Sequence, residues 1–302
     1  MQVIETIREL RIEISKLKQQ MMQTDKANAG HSMGFVPTMG FLHAGHASLL
    51  MRARQECDAV ILSIYVNPLQ FGPNEDFSRY PRDINNDLAI AEQAGVDLVF
   101  MPQTAEMYPS LSKTTVTVRQ LTDALCGASR PGHFDGVATV LAKLFNIVQP
   151  DKAYFGMKDA QQVAVINQMV LDLNVNTIIV PCATVREADG LAMSSRNVYL
   201  SPEERKQALV LSQALQHAEE WLLESKDVRI VEQRIKEWIL SSPLAAIDYV
   251  KALEYPSLDE VDFYNIHPEA GSNSSLLIAL AVKFGQTRLI DNRLLEGSKC
   301  YV

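Results

Sequence analysis

The chain has 302 residues, enough for two domains, and its 47% hydrophobic and 21% charged residues are typical of a globular protein. Its net charge of -8 and isoelectric point near 5.3 argue against a nucleic-acid partner, because proteins that bind phosphate backbones usually concentrate Lys and Arg. We expect a cytoplasmic protein that is neither secreted nor bound to a membrane. The four scattered cysteines form no CxxC pair, no apolar run could span a bilayer, and the N-terminus lacks a secretion signal pattern.

Hydrophobic periodicity predicts alternating helices and strands in the first part of the chain. An apolar stripe from Val3 to Leu17 predicts an opening helix, and a polar linker follows over residues 24–30. Phe35 and Val36 predict a short buried strand that Pro37 and Gly40 end. Helices and strands are then predicted over residues 47–57, 59–66, 83–94, 97–102, 136–148, 152–155, 159–173 and 177–181. This alternation predicts a Rossmann-like α/β fold, a doubly wound parallel sheet with ligands at the carboxyl ends of its strands.

The pattern changes after residue 183. Ser201-Pro-Glu-Glu204 is a capping box, and the helix it begins carries a core stripe that ends at Leu222. A second helix is predicted over 228–240, strands over 247–253 and 276–282, and a polar loop over 266–275. We therefore predict a domain over residues 1–183 and a smaller α+β domain over 184–302.

Two histidines mark the first chemically informative stretch, Met33 to His46. The strand runs through a glycine-rich turn into a helix, so His43 and His46 should lie at the helix N-terminus, where N–H groups and the helix dipole favour a phosphate or carboxylate. A metal-binding pair and two ordinary turn residues are the alternatives. The stretch contains no Cys or acidic residue, which counts against zinc.

Four further clusters carry polar side chains, at predicted strand ends, ahead of a buried helix or at the domain junction. Gln70, in Asn67-Pro-Leu-Gln70, could hold a small polar substrate or face water. The stretch 130–136 combines an arginine, a histidine and an aspartate ahead of a buried helix, or is a loop with a helix cap at Asp135. The third cluster, residues 156–162, has a glycine at a strand end.

In that third cluster, Lys158 can neutralise a phosphate, and Asp159 can cap the next helix or hold Mg²⁺ through water. Gln162 should face the same cleft. A solvated lysine beside a helix-capping aspartate is the alternative. At the junction, residues 193–196 offer two hydroxyls and a guanidinium that could clamp a triphosphate, or form an interdomain salt-bridge loop.

Two of these motifs occur together in a known superfamily. His43-Ala-Gly-His46 resembles the HIGH signature, and Met193-Ser-Ser-Arg196 the KMSKS signature, of the class I aminoacyl-tRNA synthetases and nucleotidyltransferases. From residue 1 to about 292 the chain resembles the pantothenate synthetase family, the pantoate–β-alanine ligases. Besides the two signatures, the resemblance rests on residues 37–40, 66–76, 130–136 and 156–159. The resemblance implies a Rossmann-like domain, a smaller domain that closes over the site, a homodimer and Mg²⁺. It also implies that ATP and pantoate form pantoyl adenylate, from which β-alanine displaces AMP.

The resemblance also implies the roles of individual residues. ATP would be bound by Met39, Gly40, Phe41, Leu42, His43, Ala44, Gly45, His46, Gly156, Met157, Lys158, Asp159, Val185, Met193, Ser194, Ser195 and Arg196. The catalytic side chains would be those of His46 (the proton donor), His43, Lys158, Ser194, Ser195 and Arg196. The substrate site would comprise Gln70, Gln162, Pro37, Thr38 and Asn67, with Asp159 at the metal. Ala44 and Met157 stand where the family commonly or often has Glu, but neither side chain is assigned chemistry.

Three rival functions share some of these features. A dinucleotide-dependent oxidoreductase also uses a parallel sheet, but the first strand is not followed by GxGxxG. A catalytically silent nucleotide sensor would keep the motifs without the reaction. A related adenylate-forming enzyme would use a different acid or amine.

Overall fold

The computed structural model describes residues 1–23, 31–73, 75–225, 227–261 and 275–296. These residues form nine strands: β1 (Gln2–Ile4), β2 (Met33–Thr38), β3 (Ala59–Ile64), β4 (Leu98–Phe100), β5 (Lys152–Gly156), β6 (Ile178–Cys182), β7 (Ala245–Tyr255), β8 (Ser275–Phe284) and β9 (Thr287–Glu296). They also form ten α-helices: α1 (Ile7–Met22), α2 (Ala44–Glu56), α3 (Ile84–Gln93), α4 (Thr104–Met107), α5 (Leu125–Ser129), α6 (His133–Val148), α7 (Ala160–Asp172), α8 (Pro202–Gln207), α9 (Val210–Ser225) and α10 (Val228–Leu240). The predicted linker 24–30, residues 266–274 of the predicted polar loop and Cys300 lie outside the described residues.

The chain divides into two compact units. The first comprises Met1–Arg119, Arg130–Met157 and Val165–Ala183. The second comprises Gln120–Ser129, Lys158–Ala164 and Thr184–Val302. The last segment of the first unit thus ends at residue 183, and two short earlier segments of the chain belong to the second unit.

The first unit contains a six-stranded parallel sheet in the order β1-β4-β3-β2-β5-β6, which confirms the predicted fold class. From β2 the chain builds outward through β3 and β4 and then continues on the other side of β2 with β5 and β6. The order therefore reverses between β2 and β5. In doubly wound sheets ligands bind beyond the carboxyl ends of the strands at such a switch point. Here those ends are Thr38 and Gly156.

Strand β2 lies at the centre of the sheet. Its residues Met33 to Val36 are buried, as predicted for a strand covered on both faces. The prediction that Pro37 ends the strand is wrong, because Pro37 still pairs with Ser63 in the register of β3. The carbonyl of Thr38 accepts the N–H of Tyr65 beyond β3, so the backbone of Pro37 points to the other side. On that side the pairing with β5 extends only to Phe35, so the missing N–H of Pro37 removes no hydrogen bond between the two strands.

The opening helix is shorter than predicted. Val3 lies in edge strand β1, paired with Val99, and the prediction that places it on a helix is wrong. Thr6 accounts for the difference, because its extended backbone and its hydroxyl, which accepts the N–H of Glu9, cap helix α1. Leu10 and Ile14 form the buried stripe of that helix.

The second unit packs helices against a three-stranded antiparallel sheet in the order β7-β8-β9. Its core joins Leu215 of α9 and Ile235 of α10 to Ile278 and Leu280 of β8. The capping box at Ser201 and helix α10 are confirmed. The helix after Ser201 is interrupted at Ala208, although the apolar spacing continues through the break. Strand β9, which no pattern predicted, follows a tight turn after β8.

In the described part of the chain, no helix combines the length and the apolar character needed to cross a membrane. Cys57, Cys126 and Cys182 are buried thiols without disulfide partners among the described residues.

Candidate active site

The turn after β2 places two imidazoles at the start of a helix. Gly40 and Phe41 have φ values of 81° and 51°, and these two successive left-handed residues turn the chain from the strand into α2. His43 is the N-cap of α2, and its Nδ1 accepts the N–H of Gly45 at 3.1 Å. His46 lies in the first helical turn, and its Nδ1 accepts the N–H of His43 at 3.3 Å. The predicted position of both histidines at the helix N-terminus is confirmed.

These two hydrogen bonds also determine the tautomers of the imidazoles. A ring nitrogen that accepts a backbone N–H carries no proton, so each neutral ring is protonated on Nε2. Both side chains are only half buried. They can therefore present Nε2–H donors to a ligand while Nδ1 holds the helix start.

A buried carboxylate supports this turn from a neighbouring helix. Asp87 of α3 is 1% exposed, and its two oxygens accept the N–H groups of Phe41 at 3.0 Å and Leu42 at 2.6 Å. The adjacent Asn86 donates its amide N–H to the carbonyl of Leu42. Burial raises the pKa of Asp87 above its usual range, although the two backbone donors oppose this shift. Sequence reasoning missed Asp87, since a single acid in the first turn of a helix is usually exposed.

The segment after β3 forms a second part of the site in the same unit. Asn67 is buried and caps a 3₁₀ turn over Pro68–Gln70, where its Oδ1 accepts the N–H of Leu69 at 3.3 Å. Oδ1 also accepts the hydroxyl of Tyr108 at 3.1 Å. Gln70 ends the turn, and in the described residues its side-chain amide makes no hydrogen bond. Asn67 therefore shapes the loop, whereas the amide of Gln70 is available to a ligand.

The end of β5 supplies a third part of the first unit. Gly156 is the last strand residue, and a Cβ built there would meet nothing within 4 Å. A 3₁₀ turn, Met157–Asp159, leads from it into α7. The backbone at Gly156 is thus open to a ligand at the switch point of the sheet.

Lys158, Asp159 and Gln162 lie in the second unit. Lys158 Nζ is 3.7 Å from Asp159 Oδ2, and the carbonyl of Lys158 accepts the side-chain N–H of Asn292 at 2.8 Å. The preceding glutamine, Gln161, is buried and bonded to the backbone of residues 121–126. Gln162 is half buried. Of this glutamine pair, Gln161 is structural and Gln162 is the candidate for binding.

The Met193–Arg196 segment continues a short loop of the second unit. The N–H of Met193 bonds to the carbonyl of Val185, and the hydroxyl of Ser194 caps the 3₁₀ turn Ser195–Tyr199 by accepting the N–H of Arg196 at 3.2 Å. Arg186 anchors the loop through two hydrogen bonds to the buried carboxylate of Asp291, at 2.6 and 2.9 Å. Both residues of this ion pair lie in the second unit, so the pair does not support the alternative of an interdomain salt-bridge loop.

A small cavity in the second unit brings two of the predicted site residues together. Its polar lining consists of Lys158, Ser194, Asn197 and Asp291. Lys158 and Ser194 are far apart in the sequence, yet they line the same cavity. The cation and the hydroxyl can both donate hydrogen bonds there, beside the carboxylate of Asp291, which is paired with Arg186.

The chain is similar to known proteins over nearly its whole length. The family model described as pantoate-beta-alanine ligase matches residues 2–294. Pantothenate synthetases of Acetivibrio thermocellus and Heliobacterium modesticaldum are 53% and 54% identical, each over 98% of this chain and 100% of the relative.

Solved structures give the same result. The crystal structure of pantothenate synthetase from Thermus thermophilus matches with a TM-score of 0.85 and 43% identity, over 98% of this chain and 99% of that one. A pantoate-beta-alanine ligase from Francisella tularensis, crystallised with beta-gamma ATP and beta-alanine, matches with a TM-score of 0.76 and 32% identity over 97% of both chains. The expected enzyme class, a ligase, is confirmed. Since both the sequence and the fold match over nearly their whole length, the chain belongs to the pantoate-beta-alanine ligase family.

Proposed function

We propose that the protein condenses pantoate with β-alanine at the expense of ATP, giving pantothenate, AMP and pyrophosphate through a pantoyl adenylate. The observation that carries this proposal is the pair of imidazoles at the start of α2, beyond the carboxyl end of β2 and at the switch point of the parallel sheet. The Francisella tularensis relative was crystallised with both an ATP compound and β-alanine.

The first half-reaction activates the carboxylate of pantoate. A carboxylate is a poor electrophile because its leaving group would be an oxide. In the proposed step, a carboxylate oxygen attacks the α-phosphorus, the bond from that phosphorus to the bridging oxygen breaks, and pyrophosphate leaves. Two anions must approach each other, so donors and cations around the phosphates lower the barrier.

In our proposal, the predicted catalytic side chains supply those donors and charges. His46 and His43 direct Nε2–H groups at phosphate oxygens, and Lys158 adds a positive charge. Ser194, Ser195 and Arg196 contact the departing pyrophosphate. The remaining nucleotide contacts come from 39–45, 156–159, Val185 and Met193.

Pantoate would be bound beside the β3 and β5 ends. The amide of Gln70 can donate to and accept from the hydroxyls and carboxylate of pantoate, and Gln162 is proposed as its second contact. Thr38 has a structural task as well, because its hydroxyl donates to the carbonyl of Ser63 at 2.8 Å and accepts the N–H of Gly40. Contacts from Pro37, Thr38 and Asn67 to substrate stay predictions.

In the second half-reaction the amine of β-alanine attacks the acyl carbon. The new C–N bond replaces the C–O bond to AMP, and the amine nitrogen loses a proton. AMP departs with the electron pair of the broken bond. No enzyme nucleophile is required, in keeping with the burial of Cys57, Cys126 and Cys182.

The donor set fits Mg²⁺ that arrives with the triphosphate. No group of three metal-ligating side chains occurs among the described residues, but the half-exposed carboxylate of Asp159 can contact a hydrated ion through water. When bound, Mg²⁺ would neutralise phosphate charge.

Pyrophosphate exchange tests the order of events. With ATP, Mg²⁺ and pantoate but no β-alanine, the enzyme should exchange labelled pyrophosphate into ATP, because the first half-reaction is reversible and needs no amine. Release of ADP and phosphate would indicate an acyl phosphate instead. A silent sensor would leave ATP untouched, and exchange with another acid in place of pantoate would reveal a different substrate.

We also propose a homodimer, a cytoplasmic location and closure of residues 184–302 over the active site, all three implied by the family resemblance. Sedimentation velocity tests whether the protein is a homodimer. Protection of residues 193–196 from protease by ATP and Mg²⁺ tests the proposed closure.

A further inference from the structure

The backbone carbonyl oxygen of Gln70 accepts hydrogen bonds from two side chains, a guanidinium and an imidazole. It lies 3.2 Å from Arg130 Nη2 and 2.8 Å from His133 Nδ1. Because a carbonyl oxygen only accepts hydrogen bonds, His133 must carry a proton on Nδ1. The peptide group of Gln70 is therefore fixed, although its side-chain amide has no partner among the described residues.

Arg130 is itself held in place. Its Nε and Nη2 donate to the two carboxylate oxygens of Glu75, at 2.6 and 2.5 Å. Burial would raise the pKa of Glu75, but the bonds and charge of Arg130 outweigh it and lower that pKa. A bidentate pair fixes the plane of the guanidinium as well as its position, so the hydrogen bond to Gln70 has a defined direction.

Gly136 brings helix α6 against the same turn. A Cβ at this position would lie 2.1 Å from the carbonyl oxygen of Leu69 and 2.8 Å from the backbone nitrogen of Gln70. The side-chain N–H of Asn67 donates to the carbonyl of Gly136 at 3.0 Å. These contacts are with backbone atoms, so a side chain at 136 could be accommodated only if the turn moved.

We propose that Arg130, His133 and Gly136 are positioning residues that set the affinity for pantoate by fixing the peptide of Gln70. They act through Gln70 and need not touch the substrate. This role accounts for the Arg130–Gly136 motif, to which the proposed reaction assigns no chemistry. The inference rests on the proposed function, in which Gln70 binds pantoate.

The first test is a pair of variants at His133. His133→Ala removes the donor and should raise the KM for pantoate about tenfold, the cost of one well-placed hydrogen bond. We expect kcat within about twofold of wild type and an unchanged KM for ATP. His133→Asn should restore most of the affinity, since its amide can place an N–H near the position of Nδ1.

The second test compares two glycines at the start of α6. Gly132 has a φ of 79°, and a Cβ there would meet nothing within 4 Å, so Gly132→Ala introduces backbone strain without a clash. It should lower Tm and leave the KM for pantoate unchanged. Gly136→Ala should raise that KM.

The outcomes separate this inference from the proposed function. If wild type shows no pantoate-dependent pyrophosphate exchange, the proposed function fails. If wild type exchanges but His133→Ala and His133→Asn have the same KM for pantoate, or the KM for ATP rises equally, the positioning role is overturned. If Gly136→Ala does not fold, the KM values of the two His133 variants still test the positioning role.

Discussion

His46 Nδ1 accepts the backbone N–H of His43, and the two imidazole rings lie 4.1 Å apart between centroids. Because of this hydrogen bond, the two nitrogens of the His46 ring have different roles. Nδ1 holds the first turn of α2, and Nε2 carries the proton that the proposed reaction uses. The two tasks can therefore be separated by substitutions that imitate one nitrogen or the other.

His46→Asn should slow adenylate formation while the fold is kept. The amide oxygen of Asn can accept the His43 N–H in place of Nδ1, but nothing replaces Nε2–H. Loss of one transition-state donor costs on the order of 3 kcal/mol, about a hundredfold in rate. Pantoate-dependent pyrophosphate exchange measures this rate. His46→Gln is the matched variant, because its longer amide can place an N–H near Nε2, and it should be less impaired. Wild-type exchange by His46→Asn would remove His46 from the proposed chemistry.

Asp87→Asn should impair the first half-reaction much more than it lowers thermal stability. The amide keeps one oxygen for either Phe41 or Leu42 but presents N–H to the other donor, so the turn before His43 loses its alignment. Burial raises the pKa of Asp87, which means that the ionised form is costly in the folded state. Removing the charge relieves that cost and offsets part of the loss of one buried hydrogen bond.

Thermal melting and pyrophosphate exchange, measured on the same preparation of Asp87→Asn, test this. Ser201→Ala, which removes the cap of α8 in the other unit, is the control: it should lower Tm with exchange unchanged. If Asp87→Asn lost stability and exchange in parallel, the carboxylate would be a general structural element.

Much of the first unit could be predicted because its signals are local. Asp83 caps α3, Gly95 follows it with a φ of 74°, and the predicted helix 83–94 agrees with the observed bounds. The apolar run after residue 58 is a central strand of the sheet. The alternation of elements then predicts a parallel sheet, although not the order of its strands, and with it the placement of the His43–His46 turn at a strand end.

The supporting contacts could not be predicted, because each joins residues far apart in the sequence. Asp87 is 45 positions from Leu42, and Arg130 is 55 from Glu75. No spacing rule connects such pairs. The strand position of Pro37 was missed for a related reason, since it depends on where the pairing of β2 with β5 stops.

Lys158→Ala should lose most of the first half-reaction and little of the second. The ammonium group lines the cavity with Ser194, and its proposed task is to offset charge on the phosphates, which have already left as pyrophosphate when the amine attacks. Conversion of supplied pantoyl adenylate with β-alanine should therefore stay close to wild type while pyrophosphate exchange falls. Equal loss on the intermediate would assign Lys158 to another step. Lys251→Ala, a surface lysine paired with Glu260, is the control.

Glu56 should make the stability of the protein depend on pH in the acid range. Its carboxylate accepts hydrogen bonds from Arg52 at 2.9 Å, Lys152 at 3.2 Å and Tyr154 at 3.1 Å. Arg52 makes the largest contribution to lowering the pKa of Glu56 from 4.5 to about 2. Because the pKa is lower in the folded state, the contribution is complete above 4.5 and is lost as the pH falls towards 2.

Glu56→Gln should therefore be less stable than wild type at about pH 6, and the difference should shrink at about pH 3. Denaturant unfolding of both proteins at the two pH values measures it, with the m-value checked for a common two-state transition. Glu92→Gln, at an exposed position on α3, is the matched control and should differ little from wild type at either pH. A stability difference at Glu56 that is the same at both pH values would mean that the lost hydrogen bonds, and not the charge of the carboxylate, stabilise this end of the sheet.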